Sequence, residues 1–226
     1  MNGKLSVIGT PIGNLEDITL RALRVLKEAD VILCEDTRMT KRLLNKYEIQ
    51  NELLSYHSHS GLAKVDKIIA LLEEGKHLAL VSDAGTPGIS DPGVVLVGEI
   101  QKVLPDVVVE SIPGPSALTT ALSIAGVPTA KFVFLGFLPH KKGRETLFRE
   151  MGEEERTIVC YESPHRILKT LESLKDVMPE RNIVLAHELT KIHEELFRGT
   201  AGELLRQFEE NPKAVCGEFV MIVEPK

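Results

Sequence analysis

Tryptophan is absent from the chain, and aromatic side chains make up only 4% of its 226 residues. Proteins that bind single strands of nucleic acid without sequence preference stack the bases on aromatic side chains, so no such platform is evident here. Positive charge is also short, because 27 Lys and Arg against 33 Asp and Glu give a formal net charge of −6. A nucleic-acid partner would therefore have to be met by a local basic patch.

Long apolar runs and cysteines are scarce as well. No run approaches the roughly 18 residues that span a membrane, and residues 1–10 resemble a first strand rather than a signal peptide, so we expect a cytoplasmic protein without a membrane partner. The three cysteines, Cys34, Cys160 and Cys216, are interpreted as reduced, small hydrophobic residues. No metal site is predicted, because His57 and His59 are not accompanied by further Cys or nearby carboxylates.

The first half of the chain alternates short apolar runs with segments of helical spacing. Hydrophobic residues are 43% of the chain and charged residues 27%, as in ordinary globular proteins. Strands are predicted at Leu5–Ile8, Val31–Cys34, Leu53–Tyr56, Leu78–Val81 and Val107–Ile112. Helices are predicted at Ile18–Ala29, Thr40–Lys46, Leu62–Leu72 and Val94–Leu104. This alternation indicates an α/β fold with a mostly parallel sheet that is covered on both faces.

A strong break at Pro113-Gly114-Pro115-Ser116 divides the chain. We therefore expect two α/β domains, residues 1–115 and 116–226, with Ser116 capping a helix at Ala117–Ala125. Further helices are predicted at 144–151, Arg166–Leu174 and Ala201–Glu209. Strands are predicted at Phe132–Leu135, Ile158–Tyr161, Ile183–Ala186, Glu195–Arg198 and Phe219–Val223.

The most informative stretch is Val81–Gly93, VSDAGTPGISDPG. A strand leads into it and a helix leaves it, which is where open α/β sheets bind their ligands. Its glycines let the backbone approach a ligand closely, and Pro87 and Pro92 stiffen it. A plain strand-to-helix turn is the alternative, although the connection is longer than such a turn needs.

Other loops carry polar or glycine-rich sequences after predicted strands. Gly9–Asn14, GTPIGN, has neither the GxGxxG spacing of a dinucleotide site nor the Gly-Lys-Ser/Thr of a P-loop. Pro113–Ala117 leads into a helix whose free N–H groups suit an anionic group such as a carboxylate, although the loop is also compatible with a hinge. Titratable side chains follow two strands of the second half, at Tyr161–Arg166 and His187–Glu195.

Two clusters of positive side chains interrupt the acidic composition. The first is Arg38, Lys41 and Arg42, and the second is Lys141, Lys142 and Arg144. Both follow predicted strand ends, which favours phosphate contacts over the alternative of a solvated face. If the partner is a nucleic acid, the side chains that we expect to contact its phosphates are Arg38, Arg42, Lys141, Lys142 and Arg144.

Taken in order, these loops resemble those of the class III S-adenosylmethionine-dependent methyltransferases, the tetrapyrrole methylase superfamily. The likeness covers nearly the whole chain. It rests on GTPIGNLEDIT (9–19), EDTRMT (35–40), YHSHS (56–60), the 81–93 loop, IPGPSA (112–117), FLGFLPHKK (134–142), YESPHR (161–166) and ELTK (188–191). The EDTRMT segment is similar to the branch of the family that acts on ribosomal RNA rather than to the corrin or porphyrin branch.

The resemblance implies two α/β domains with S-adenosyl-L-methionine folded up in the cleft between them, and a homodimer. It implies 2′-O-methylation of a cytidine in the decoding region of 16S ribosomal RNA, within the small ribosomal subunit. Many members carry a further C-terminal segment, whereas this sequence stops at Lys226, so RNA binding is expected to rely on the core and the dimer. By position, the implied cofactor contacts are Pro11, Ile12, Asp83, Gly85, Thr86, Ser116, Ala117, Tyr161, His187, Glu188, Leu189 and Thr190.

A ribose hydroxyl becomes a good nucleophile when its proton is removed or its alkoxide is stabilised. The candidates for that role near the implied cleft are Glu188, Lys191, Glu35 and Asp36, and the sequence does not choose among them. Two other functions stay open: methylation of a small tetrapyrrole, and a non-catalytic RNA-binding protein on the same fold. The basic clusters and EDTRMT weigh against the first, and the density of loops at strand ends weighs against the second.

Overall fold

The computed structural model describes residues 3–57 and 60–226, so His59 of the His57/His59 pair lies outside the described residues. The chain divides into two compact units, Met1–Ser116 and Ala117–Lys226. Each unit contains a five-stranded sheet with helices, which confirms the α/β class. Within the described ranges, no helix combines the length and apolarity that a membrane crossing requires.

The first unit is a wholly parallel sheet in the strand order β3-β2-β4-β1-β5. Its strands are β1 (Lys4–Ile8), β2 (Val31–Cys34), β3 (Glu52–Ser55), β4 (His77–Leu80) and β5 (Val108–Ile112). Its helices are α1 (Leu20–Glu28), α2 (Thr37–Lys46), α3 (Leu62–Glu73) and α4 (Gly93–Val103). A 3₁₀ turn at Leu15–Asp17 precedes α1.

Helices cover both faces of this sheet, and successive strand residues point to opposite faces. In β2, Ile32 and Cys34 pack with the apolar residues of α1 and α2, whereas Val31 and Leu33 pack with those of α3 and α4. The same alternation places Leu78 and Ala79 of β4 in opposite layers. The predicted parallel, doubly covered sheet is therefore confirmed for the first unit.

The second unit has a mixed sheet in the order β6-β7-β10-β8-β9. Its strands are β6 (Phe132–Phe137), β7 (Thr157–Glu162), β8 (Asn182–His187), β9 (Glu195–Thr200) and β10 (Phe219–Val223). Its helices are α5 (Ala117–Ala125), α6 (Arg144–Glu153), α7 (Pro164–Val177) and α8 (Ala201–Glu210). Strands β6 and β7 are parallel, whereas β10 runs antiparallel to both β7 and β8, and β9 antiparallel to β8.

One apolar core joins the helices α6, α7 and α8 to the sheet of the second unit. Phe148, Leu171 and Leu204 from these helices share it with Leu185 and Met221 from the strands. Helix α5 instead packs on β8 and β10. Its last turn is held by Arg198 of β9, whose guanidinium donates to the carbonyls of Ile124 (3.1 Å) and Ala125 (2.5 Å).

Several boundaries differ from the sequence prediction for local reasons. Helix α2 begins at Thr37 rather than Thr40, because the Asp36 carboxylate accepts the Arg38 N–H and caps the helix. Helix α7 begins at Pro164 rather than Arg166, since proline suits the first helical position. Strand β6 continues to Phe137, with an irregular register between Phe134 and Phe137.

The cysteines are free thiols in different surroundings. Cys34 and Cys160 are buried as small hydrophobic residues, as predicted. Cys216 is also a free thiol, but it is exposed, so it lacks the apolar surroundings of a small hydrophobic residue. It lies in the segment between α8 and β10.

Candidate functional site

The strand order of the first unit places a topological switch point between β1 and β4. These strands are neighbours, but the helix that follows β1 packs on one face of the sheet and the helix that follows β4 packs on the other. Ligands of open α/β sheets bind beyond the carboxyl ends of strands where the chain diverges in this way. The loops at residues 9–14 and 81–93 leave from this point.

Hydrogen bonds join these loops into one platform. The Thr10 N–H donates to the Gly85 carbonyl at 2.9 Å, and the Gly85 N–H donates to the Thr10 carbonyl at 3.1 Å. The Thr10 hydroxyl reaches the carbonyls of Ser82 and Gly85, both at 3.3 Å. The Thr86 hydroxyl donates to the Pro115 carbonyl at 3.1 Å, so the loop that follows β5 is joined as well.

The platform depends on a direct contact between the backbones of Gly9 and Gly114. A Cβ atom on Gly114 would lie 2.5 Å from the Gly9 carbonyl oxygen, and one on Gly9 would lie 2.8 Å from the Gly114 Cα. Real side chains do not approach a backbone this closely, so both positions require glycine. Gly85 has φ +77°, in the left-handed region, where glycine is also strongly favoured.

Asp91 stiffens the second half of the central loop. Its two carboxylate oxygens accept the N–H groups of Gly88 and Gly93, each at 2.6 Å. Asp91 was not singled out from the sequence. Its position, with a turn-forming glycine three residues before it and another two residues after it, is the local signal that could have identified it.

Several carboxylates lie beside the platform. Among them are Glu35 and Asp36, the two acidic candidates of the first unit, and their pKa values shift in opposite directions. Asp83 Oδ1 accepts the Asp36 N–H at 2.9 Å, which ties the start of α2 to the central loop. Hydrogen bonds from the Arg38 side chain and backbone lower the pKa of Asp36 to about 2. Burial, followed by the charges of Asp83 and Asp91, raises the pKa of Glu35.

In the second unit, the strand registers place the sequence motifs at one end of three neighbouring strands. Glu162 of β7, Phe219 of β10 and His187 of β8 lie directly opposite one another, so their side chains share a face. Tyr161 points to the other face, where Phe134 and Phe137 meet its ring edge-on at centroid distances of 5.0 and 5.4 Å.

His187 is 3% exposed and firmly held. Its Nε2 lies 2.7 Å from the Cys216 carbonyl oxygen, so this nitrogen carries the proton, and its ring stacks on Phe219 at 4.6 Å. Its Nδ1 is buried without a hydrogen-bond partner among the described residues. The hydrogen bond to the Cys216 carbonyl and the stacking on Phe219 hold the end of β8 against the segment that precedes β10.

The loop that follows β8 has a backbone strained at two residues. Glu188 and Thr190 have φ values of 49° and 65°, which residues with side chains seldom adopt. Such strain is typical of sites where the surroundings impose a functional conformation. The signal in the sequence was only the polar composition of the ELTK motif.

A clamp of charged groups holds this loop. Glu188 Oε1 accepts Lys191 Nζ at 2.7 Å and the Glu218 N–H at 2.9 Å, and Lys191 Nζ also contacts Glu218 Oε2 at 2.9 Å. Gly217 leaves room for the Glu188 carboxylate where a Cβ would overlap it.

The pKa values of the clamp follow from its ion pairs. Burial raises the pKa of Glu188, but the Lys191 ammonium and the Glu218 N–H outweigh it and leave that pKa lowered. Burial lowers the pKa of Lys191, but the two carboxylates outweigh it and leave that pKa raised. Both groups are therefore charged at neutral pH and occupied with each other.

The basic residues divide into exposed and buried ones. Arg38, Arg42, Lys141 and Lys142 are exposed. Arg144 is only 8% exposed. Its guanidinium donates to the Pro139 carbonyl at 3.2 Å and the Thr170 hydroxyl at 2.8 Å, and it lies 4.5 Å from the centre of the Phe148 ring. This burial does not favour the phosphate contact predicted for Arg144.

The expected cofactor residues fall into one group in each unit, and in the second unit Tyr161 lies on the face of the sheet opposite to His187. Pro11, Ile12, Asp83, Gly85 and Thr86 share the platform, and the second group is at the edge of the other sheet: Tyr161, His187, Glu188, Leu189 and Thr190. Ser116 and Ala117 are the residues at which the first unit ends and the second begins. Within 3–57 and 60–226, no group of three or more His, Cys, Asp or Glu side chains could hold a metal ion.

Comparison with known proteins shows a family for most of the chain. The family described as tetrapyrrole (corrin/porphyrin) methylases matches residues 4–205. A protein of Thermotoga maritima named ribosomal RNA small subunit methyltransferase I is 47% identical over 224 residues, which cover 99% of each chain.

Solved structures show the same fold at low sequence identity. A cobalt precorrin-4 methyltransferase matches with a TM-score of 0.71 and 19% identity, covering 98% of this chain and 94% of that one. A uroporphyrin-III C-methyltransferase of Thermus thermophilus, solved with S-adenosyl homocysteine, matches with a TM-score of 0.66 and 18% identity over 98% of this chain and 97% of that one. The shared fold confirms the predicted two-domain α/β architecture.

Proposed function

The chain belongs to the tetrapyrrole methylase family, among the members named ribosomal RNA small subunit methyltransferase I, and we propose that it methylates small-subunit ribosomal RNA. The methyl donor is S-adenosyl-L-methionine. The acceptor is the 2′-hydroxyl of a cytidine in the decoding region of 16S ribosomal RNA. The observation that carries the proposal is the 47% identity to a relative of that name over 99% of both chains.

The residues of the platform fit such a cofactor. Gly85 presents backbone without a Cβ beside Ile12, whose Cγ2 lies 3.4 Å from the place a Cβ would occupy. Asp83 is exposed, so its carboxylate can accept hydrogen bonds from ribose hydroxyls or an ammonium group. In the second unit, the strained backbone of Glu188 and Thr190 offers fixed polar groups, and Tyr161 offers a ring of set orientation.

S-adenosyl-L-methionine, when bound, supplies a methyl carbon that its sulfonium already activates. The task left to the protein is to hold a ribose oxygen in line with that carbon, which can lower the barrier by roughly 7–11 kcal/mol. The new C–O bond forms as the S–CH₃ bond breaks, and the hydroxyl proton must pass to a base. The products are the methylated ribose and S-adenosylhomocysteine.

Glu35 is the general base that we propose. A base works best when its pKa lies near the working pH, and burial beside Asp83 and Asp91 moves the pKa of Glu35 upward. Asp36 is a weaker base because Arg38 holds its pKa at about 2. Glu188 and Lys191 act as the clamp of the loop that follows β8, here called the cofactor loop, because each already neutralises the other.

The exposed basic side chains Arg38, Arg42, Lys141 and Lys142 contact the RNA backbone in this proposal. Replacing both Lys141 and Lys142 by Ala should weaken RNA binding and reduce the slope of log K against log salt concentration by roughly 1.4–1.8, as expected for two lost phosphate contacts. The matched control is Lys64→Ala with Lys67→Ala on α3, which removes the same charge. An unchanged slope would remove these lysines from the interface.

The proposal also includes a homodimer, as the family resemblance implies, and a cytoplasmic location. Sedimentation of the purified protein measures whether it is a dimer. A tetrapyrrole substrate is the competing assignment, since the structural neighbours are named for tetrapyrroles.

The first experiment is calorimetric titration with S-adenosylhomocysteine of the wild type, Asp83→Ala and the control Asp66→Ala, an exposed aspartate of α3. We expect one binding site that Asp83→Ala loses and Asp66→Ala keeps. Methyl transfer to small ribosomal subunits, naked 16S RNA and uroporphyrin-type tetrapyrroles follows, with mass spectrometry of the product nucleoside. Methylation of a tetrapyrrole, or of a base instead of a ribose, would overturn the assignment.

A further inference from the structure

The segment Pro139–Gly143, here called the basic loop, connects β6 to α6 and carries His140, Lys141 and Lys142. Its start is held by two arginines. Arg166 Nη2 donates to the carbonyls of Leu138 at 2.5 Å and Pro139 at 3.3 Å, and Arg144 Nη1 donates to the Pro139 carbonyl at 3.2 Å. Arg166 Nη1 also lies 3.3 Å from His140 Nε2.

These arginines are themselves fixed from below by a buried carboxylate. The Glu162 side chain is 0% exposed, and its Oε1 lies 3.2 Å from Arg166 Nε. Its Oε2 accepts the Thr170 hydroxyl at 2.7 Å, and that hydroxyl oxygen accepts Arg144 Nη2 at 2.8 Å. Hydrogen bonds therefore connect Glu162 through Thr170 and Arg144 to the basic loop.

The chemistry of this network requires arginine. A guanidinium presents several donors in a rigid plane, so one side chain can pair with a carboxylate and two carbonyls at once, whereas an ammonium is a compact point charge. The Arg166 side chain is 17% exposed, which leaves little of it for an external ligand. The exposed charges of the loop are Lys141 and Lys142.

Fixing the loop has a consequence for binding. A flexible segment that becomes ordered in a complex loses entropy, and a segment that is ordered beforehand avoids that loss. Two neighbouring lysines on a fixed loop can meet successive phosphates without this cost.

We propose that Arg166, supported by Glu162, Thr170 and Arg144, is a positioning residue that fixes the basic loop so that Lys141 and Lys142 meet the RNA backbone together. The arginine acts through the loop and is not itself a phosphate ligand. This inference rests on the proposed function for its partner, ribosomal RNA, and on the contacts above for the ordering of the loop.

The ordering is tested without RNA by amide hydrogen exchange. Arg166→Lys keeps the charge but loses the planar group of donors. The Arg144 and Leu147 amides, which donate to the carbonyls of Lys141 at 3.2 Å and Gly143 at 3.0 Å, should therefore exchange about tenfold faster while those of β8 are unchanged. The matched control is Arg149→Lys, an exposed arginine of α6. Unchanged exchange in Arg166→Lys would overturn the inference, whatever the RNA experiments show.

RNA affinity then separates positioning from direct contact. Arg166→Lys should weaken binding to small ribosomal subunits about five- to tenfold, with the affinity for S-adenosylhomocysteine unchanged. In a protein that already carries Lys141→Ala and Lys142→Ala, Arg166→Lys should have no further effect. An equal effect in both backgrounds would mean that Arg166 contacts RNA itself and would overturn the inference.

A second variant covers the case in which Arg166→Lys does not fold. Pro139→Gly leaves every charge in place and frees the loop backbone, so it should raise exchange and weaken RNA binding in the same non-additive way. Pro139→Gly with normal RNA affinity would contradict the inference. Wild-type protein that binds no ribosomal RNA but shows the exchange effect would refute the proposed function and leave only the ordering of the loop.

Discussion

Thr170 offers the sharpest test of how the second unit is held together. It is fully buried on α7, and its hydroxyl links Glu162 to Arg144. The hydroxyl donates to Glu162 Oε2 at 2.7 Å and accepts from Arg144 Nη2 at 2.8 Å. The replacement Thr170→Val keeps the shape of the side chain and removes both hydrogen bonds, whereas Thr170→Ser keeps both hydrogen bonds and removes one methyl group.

Thr170→Val is the more apolar replacement, but we expect it to lower the free energy of unfolding more than Thr170→Ser does. A hydrogen bond to a charged group contributes about 1.5–3 kcal/mol, and a buried charged partner left unpaired costs at least as much. Thr170→Val loses two of these, so the free energy of unfolding should fall by about 3–6 kcal/mol. Thr170→Ser should lose about 1 kcal/mol for one buried methyl group.

Urea unfolding of both variants, followed by circular dichroism, measures the difference. The midpoint should fall much further in Thr170→Val than in Thr170→Ser, with similar slopes. A valine variant as stable as the serine variant would refute the reasoning. It would mean that the buried charges find other partners, as happens when some interior ion pairs are replaced by apolar groups.

Three further results are expected. Gly114→Ala would bring a Cβ to 2.5 Å from the Gly9 carbonyl oxygen, so it should weaken S-adenosylhomocysteine binding at least tenfold in calorimetry. Gly98→Ala within α4, where nothing lies within 4 Å, should instead leave binding intact and stabilise the protein by about 0.5–1 kcal/mol. Glu35→Gln should abolish most methyl transfer yet raise the free energy of unfolding at pH 7. The reason is that folding raises the pKa of Glu35, so ionising this carboxyl costs stability as the pH rises from its unfolded pKa to its folded pKa. The extra stability of Glu35→Gln should therefore vanish below about pH 4. Extra stability that does not depend on pH would contradict this explanation. Lys191→Met, compared with the exposed control Lys169→Met, should release Glu188 and weaken S-adenosylhomocysteine binding several-fold; equal affinities would show that the clamp does not shape the cofactor loop.

The first unit could be predicted closely from its sequence, because its information is local. Strands such as Val31–Cys34 are short apolar runs, each followed by a helix, and parallel strands joined in this way leave few possible arrangements. The central loop could also be predicted, since Gly85, Pro87 and Pro92 indicate an unusual backbone. What the sequence did not indicate was the pairing of Thr10 with Gly85, which joins residues 75 positions apart.

The second unit was predicted less completely because its decisive contacts are distant in sequence. Nothing in the run Phe219–Val223 indicates that it pairs antiparallel with both β7 and β8. Arg144 follows two exposed lysines and was therefore grouped with them. Its burial is decided by Thr170, 26 residues further along the chain.

The central position of β10 in the second sheet has a consequence for synthesis of the protein. All five strands of the first unit lie within the first 112 residues, so that unit can fold while the chain is still being made. In the second unit β7 and β8 are joined only through Phe219–Val223, and both keep an open edge until those residues leave the ribosome. Exposed strand edges invite aggregation, so a stalled or truncated chain that lacks β10 should be the form that cells must shield or degrade.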